Sequence, residues 1–127
     1  MKRTLILTLA VLACALALCA VSLVCIDRAV DGAERLQSLA VLAAQQGDAA
    51  RAKALMVELA GFWEDRAGWM EMLASHDALH DVGAAIAEAQ ICLECEDHDD
   101  FLRMMSQVDM GLSHLRDEQA LRLSNLY

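Results

Sequence analysis

Charged and apolar positions divide the chain into two unequal parts. No charged residue occurs between Lys2-Arg3 and Asp27-Arg28, and residues 5–26 form a run of 22 in which only Thr8 and Ser22 are polar. As a helix this run is roughly 33 Å long at about 1.5 Å per residue, enough to cross a bilayer core. The two hydroxyls can bond back to carbonyls of their own helix and do not break a span. The pattern therefore predicts a signal anchor, or transmembrane helix, over residues 1–26 and a separate domain over residues 27–127.

Beyond residue 27 the apolar positions recur at helical spacing. Val30, Ala33, Leu36, Ala40 and Ala43 form a stripe that ends near Gln46-Gly47, where glycine can stop one helix and Asp48 can cap the next. Leu55, Leu59, Phe62, Trp69 and Leu73 step by three and four through a second helix, with Arg66 as the one polar intruder. The phase changes near residues 74–77, and Leu79, Val82, Ile86, Ala89 and Leu93 begin a third run at a Ser or Asp cap. The acidic patch from Glu94 to Asp100 predicts a turn with Asp99 capping a last helix, whose stripe is Phe101, Met105, Val108, Leu112, Leu115, Leu123 and Leu126. No segment alternates with strand period, and the chain contains no proline. Each stripe must be buried against another. The expected fold is all-α: an N-terminal transmembrane helix followed by a small antiparallel bundle of three to four helices.

The apolar run has two rivals to a permanent anchor. Ala13-Cys14-Ala15 and Ala20-Val21-Ser22 could serve as cleavage sites, and Val11-Leu12-Ala13-Cys14 loosely matches a lipidation box. A cleaved signal, however, has an apolar region of about 7 to 15 residues, and the longer run here favours retention. Lys2, Arg3 and the terminal amine precede the span, while Arg28 and Arg35 follow it among Asp27, Asp31 and Glu34. The rule that counts basic residues on each side places the amino end in the cytoplasm and the rest of the chain outside the cell membrane.

Charge narrows the partners of the outer part. Of the 10 Lys and Arg, Lys2 and Arg3 precede the apolar run, so residues 27–127 set 8 against all 19 Asp and Glu, a net charge of −11. Nucleic acid is disfavoured, because phosphate backbones are bound by positive surfaces. An envelope protein or a second copy of the chain remains an admissible partner.

Few residues suggest chemistry. Cys92, Cys95 and His98 stand at i, i+3 and i+6, near enough to share a soft metal, and a fourth ligand would have to come from His76 or His80. His76 and His80, four apart, share a helix face flanked by Asp77 and Asp81. Cys92 and Cys95 could alternatively form a redox pair, although their place late in a helix and the absence of a neighbouring strand depart from dithiol folds. Trp63 and Trp69 read as core residues or, if exposed, as anchors for a partner or for the membrane surface. The sequence carries no nucleophile elbow, phosphate loop or zincin helix, and it points away from an enzyme and from a cofactor.

Taken with the amino-terminal span, the residues Trp63 and Trp69, Leu73 with His76, Leu79 to Val82, Asp99, and the closing Glu118 with Leu123-Ser124-Asn125-Leu126 show a pattern. It resembles an uncharacterised family of small membrane-anchored helical proteins from Gram-positive spore-forming bacteria, a domain of unknown function. That pattern has acidic residues near Ala78 and His80, where this chain departs from it. The resemblance implies the same anchored topology and no particular activity. The expected role is contact with another envelope protein or self-association, with Trp63, Trp69, His76 and Asn125 as candidate contact residues. The alternative is a metal-binding or redox-sensing module built on Cys92, Cys95 and His98 with His76 or His80.

Overall fold

The computed structural model describes residues 1–125, apart from the side chains of Leu123 and Asn125. Among the described residues the regular elements are four helices: α1 (Lys2–Gln45), α2 (Ala49–Met70), α3 (His76–Glu94) and α4 (His98–Asn125). α1 packs on α2, α2 on α3, α3 on α4, and α4 returns to α1, and among the described residues the diagonal pairs make no close backbone approach. This is the up-down-up-down arrangement of an antiparallel four-helix bundle, at the upper end of the expected helix count.

α1 is one unbroken helix of 44 residues, roughly 66 Å long at about 1.5 Å per residue. Residues 1–21 are exposed throughout, and burial begins in earnest at Ile26, Ala29, Val30 and Ala33. The amino-terminal part of this helix is long and apolar enough to cross a membrane. Thr8 Oγ1 donates to the Thr4 carbonyl and Ser22 Oγ to the Leu18 carbonyl, both at 2.7 Å, so the two hydroxyls are satisfied within the helix. The expected boundary between residues 26 and 27 thus falls inside a continuous helix rather than in a linker.

The turns explain why the helices stop where they do. Gly47 takes φ +78°, the Gly47 amide bonds the Ala44 carbonyl, and the Asp48 amide bonds the Ala43 carbonyl. These two bonds close α1 with a left-handed cap, and the Asp48 carboxylate then accepts from the Arg51 amide to open α2. The α3–α4 turn repeats the design with a different residue: Glu96 sits at φ 57°, and the Glu96 and Asp97 amides bond the Leu93 and Cys92 carbonyls. Here the expected cap is displaced. Asp97, not Asp99, accepts from the Asp100 amide through its side chain and from Phe101 through its carbonyl. Residues 71–75 form the third turn, in which Ser75 is the N-cap of α3 without a side-chain cap bond.

One stripe also needs correction. The buried face of α2 is Ala52, Met56, Leu59, Trp63 and Met70, whereas Leu55, Phe62 and Leu73 are half-buried and Trp69 is exposed. α2 is apolar on several faces, so steps of three and four fit more than one stripe: Leu59 is in the core, while Leu55, Phe62 and Leu73 pack against it from the edge. Phe62 instead approaches Gly32 of α1, where a Cβ would lie 2.3 Å from its Cζ, and its ring carries the Arg66 guanidinium at 3.5 Å. The stripes of α3 and α4 lie as expected: Leu79, Val82, Ile86 and Ala89 meet Phe101, Met105, Val108, Leu112 and Leu115 in one core. Leu123 and Leu126 lie outside the described side chains.

Candidate functional site

One surface feature of the bundle is a groove between α2 and α3, with a volume of about 450 Å³. It exists because small residues face each other across these two helices: Ala60 and Ala67 from α2, and Gly83, Ala84 and Ala87 from α3. Trp63 forms the floor. Its indole is 3% exposed, its Nε1–H donates to the Leu79 carbonyl at 3.3 Å, and a Cβ on Gly83 would lie 3.7 Å from its ring. A buried indole with its N–H paired to a neighbouring helix is a fixed structural element. Trp63 therefore shapes the groove rather than projecting from it.

The rim is polar. Glu64 and Glu71 rise from the α2 side, and His76, His80 and Gln90 from α3. His76 and His80 share a face as their spacing predicts, with near-parallel rings 6.3 Å apart between centroids. His76 Nδ1 also lies 3.5 Å from Glu71 Oε1, and both side chains are well exposed. The result is an apolar trough with acidic and imidazole groups at one end. Such a shape suits an apolar helix face or peptide edge carrying basic residues.

The second candidate cluster lies at the other end of α3. Cys92 is in its last turn, Cys95 is its C-cap, and His98 opens α4. Cys92 and His98, but not Cys95, line a crevice of about 250 Å³ that also takes in Gly47 and Lys53. His80 is 12 residues from Cys92 along α3, or roughly 18 Å at about 1.5 Å per residue. The structure therefore does not bring His76 or His80 to the cysteines, and the expected combined ligand set is not assembled. Among the described residues, no three His, Cys, Asp or Glu side chains are grouped closely enough to hold a metal ion. All five cysteines are free thiols. Partial burial, followed by the charges of Asp100 and Asp97, raises the Cys92 thiol above its usual range. That disfavours the thiolate that metal binding and redox exchange both require.

The third region is the end of the bundle nearest the apolar segment. Here Trp69 is 36% exposed and Met72 is 84% exposed. Arg122 donates to the Leu73 carbonyl and lies 3.4 Å from Glu118. A crevice of about 350 Å³ runs between Leu18, Cys19, Ser22 and Leu23 of α1, the Met72-Leu73 turn, and Gln119 and Arg122 of α4. The candidate contact residue Asn125 is in the last turn of α4, and its side chain lies outside the described residues.

Sequence reasoning missed Arg116. From α4 it pairs with Asp31, with Glu34 at 3.1 Å and with Asp27 at 3.8 Å, all on α1. The signal was present: three carboxylates at 27, 31 and 34 share one helix face, and a face so charged next to a packed helix calls for a cation. Its role is to lock α4 onto α1 just above the apolar run.

Residues 26–126 match the family described as Domain of unknown function (DUF4363), and the chain belongs to that family. The match begins where burial begins and covers the whole bundle. No curated protein and no solved structure matches the chain.

Proposed function

For this member of the family, we propose that the chain is a single-pass membrane protein with its amino end in the cytoplasm and its helical bundle outside, acting as a non-catalytic interaction module of the cell envelope. The observation that carries this reading is the continuity of α1 from the apolar segment into the core. A stiff helix shared by anchor and domain holds the other three helices at a set height and rotation. This suits a protein whose task is to present a surface.

The surface it presents is the α2–α3 groove. Its alanine and glycine walls admit a close-packed helix, and Glu64 and Glu71 on the rim select basic flanks. The acidity of the domain, −11 over residues 27–127, works against a second copy as the occupant.

Photo-crosslinking in the native envelope tests both parts. A photoreactive residue at Ala87 or Glu64, on the groove, is expected to capture one discrete envelope protein, while the same residue at exposed Ser113 on α4 captures none. Monomer alone at both groove positions overturns the interaction reading, and a homodimer there replaces the envelope partner with self-association. Topology is read independently by a reporter enzyme that is active only outside the cytoplasm, fused after Asn125: activity is expected, and its absence reverses the orientation.

A further inference from the structure

The height of the bundle relative to the bilayer is fixed by α1, and it leaves too little free apolar helix for the bundle to stand clear of the membrane. The turn at residues 71–75 and the end of α4 already lie beside Leu18, Ser22 and Leu23, which belong to the apolar run. From Leu5 to Leu18 is only 14 residues, or roughly 21 Å at about 1.5 Å per residue. A hydrocarbon core needs about 30 Å. The missing length must come from residues 19–24, so the neighbours of those residues enter the membrane boundary with them.

We propose that this end of the bundle, the α2–α3 turn with Trp69 and Met72 and the adjoining face of α4, is seated in the interfacial layer of the bilayer, a contact that rests on the reading of α1 as a membrane span. Its side chains suit that position. Met72 is the most exposed large apolar residue of the described bundle, at 84%, and Leu121 on α4 is 63% exposed. Trp69, one turn above the loop, presents part of its ring to solvent, and tryptophan is enriched at the level of lipid headgroups. Arg122 stands at the same height with its guanidinium half-exposed, and long basic side chains extend towards headgroups. Glu71, beside Met72 and 52% exposed at its side chain, stops the turn from sinking further, because a carboxylate is costly in the hydrocarbon.

The test uses the full chain in vesicles of phosphatidylcholine and phosphatidylglycerol containing brominated lipid, which quenches tryptophan at bilayer depth. Wild-type emission is expected to be quenched, and the surface variant Trp69→Phe to lose that quenching, because buried Trp63 remains dark to the lipid bromines. Adding Leu12→Trp to the Trp69→Phe chain reports on the span itself. Quenching from both Leu12→Trp and Trp69 supports the seated bundle. Quenching from Leu12→Trp together with Trp69 emission that only aqueous acrylamide reduces overturns it while the anchor stands. No quenching at either position overturns both. Trp69 is a surface residue and helix content is monitored by circular dichroism in every sample, so loss of fold is read separately from loss of contact.

Discussion

Substituting Gly111 with alanine should destabilise the bundle, although alanine is the better helix former. Gly111 lies in the interior of α4, where a Cβ would stand 2.6 Å from Val82 Cγ2 and 3.8 Å from Val82 Cβ on α3. Val82 is fully buried and β-branched, so its methyl has no free rotamer into which to withdraw. Forcing a methyl into a packed interface costs about 1 to 3 kcal/mol, against a gain of about 0.5 to 1 kcal/mol from replacing a helical glycine. The net loss lies between about 0 and 2.5 kcal/mol, centred near 1 kcal/mol, and about 4 to 8 °C of melting temperature accompanies each kcal/mol in a domain of this size. Gly68, on exposed α2 with open space where its Cβ would fall, gives the internal control: Gly68→Ala should stabilise by about 0.5 to 1 kcal/mol. Thermal melts of the full chain in micelles, followed by circular dichroism, measure both. Combining Gly111→Ala with Val82→Ala removes the clashing methyl, and the cycle should show favourable coupling of about 0.5 kcal/mol or more. A Gly111→Ala chain as stable as Gly68→Ala, or one indifferent to Val82, would refute the close approach of α3 and α4.

Four further outcomes follow from the geometry. Arg116→Ala leaves Asp27, Asp31 and Glu34 without their shared cation; Asp27 and Asp31 are largely exposed and Glu34 and Arg116 partly so, so the loss should be about 1 kcal/mol at low salt and shrink in 1 M NaCl, whereas a salt-independent loss would mean the packing of its stem matters instead. Asp97→Ala should cost about 1 kcal/mol in the same melts as the cap of α4 is lost, while Asp99→Ala should have little effect; equal effects would return the cap to Asp99. Glu96→Gly should stabilise by about 1 kcal/mol by relieving a left-handed backbone, and a lower melting point would show that the Glu96 side chain contributes more than its backbone costs. With the other four cysteines replaced by alanine, Cys92 should alkylate more slowly in the folded chain than in denaturant at pH 8, because burial and nearby acids raise its thiol; the gap should narrow as rising pH passes through the folded-state value, and equal rates at every pH would show an ordinary, open thiol.

What was legible in the sequence depended on how strongly one signal dominated its neighbours. The apolar run is bounded by charge on both sides, and the Gly47-Asp48 break combines a left-handed residue with a cap, so the end of α1 and the start of α2 were readable, whereas the charges at Asp27-Arg28 marked a boundary that the helix runs straight through. The stripes of α3 and α4 were also clear, because polar residues cover their other faces. α2 has apolar residues on several faces, and its burial was decided by tertiary neighbours: Gly32 admits Phe62 at one edge, and the Trp63 indole bonds Leu79 at another. The same limit applied to the candidate ligands. His76 and His80 were rightly placed on one face, a local matter of spacing, but their separation from Cys92 depended on α3 being straight and continuous between them. Arg116 was invisible for a related reason, since its three partners are more than 80 residues away in sequence and meet it only when α4 returns to α1.

If the amino-terminal helix is the membrane anchor proposed above, the continuity of α1 changes what that anchor contributes to this domain. A flexible tether raises local concentration but leaves the domain free to turn, whereas a helix that passes from lipid into core fixes both the height of the bundle and the direction its faces point. α1 supplies one quarter of the bundle, and Arg116 fastens α4 to it within two turns of the apolar run. Removing the apolar segment by truncation near residue 26 would therefore uncover the Met72-Leu73 turn and the adjoining part of α4 as well as freeing the domain. On the proposed topology the α2–α3 groove would open sideways, along the membrane plane, at a level set by its distance from Met72. Under the proposed interaction reading, a partner that fills the groove would have to present its own surface at that level, which favours another membrane-anchored protein over one that diffuses freely.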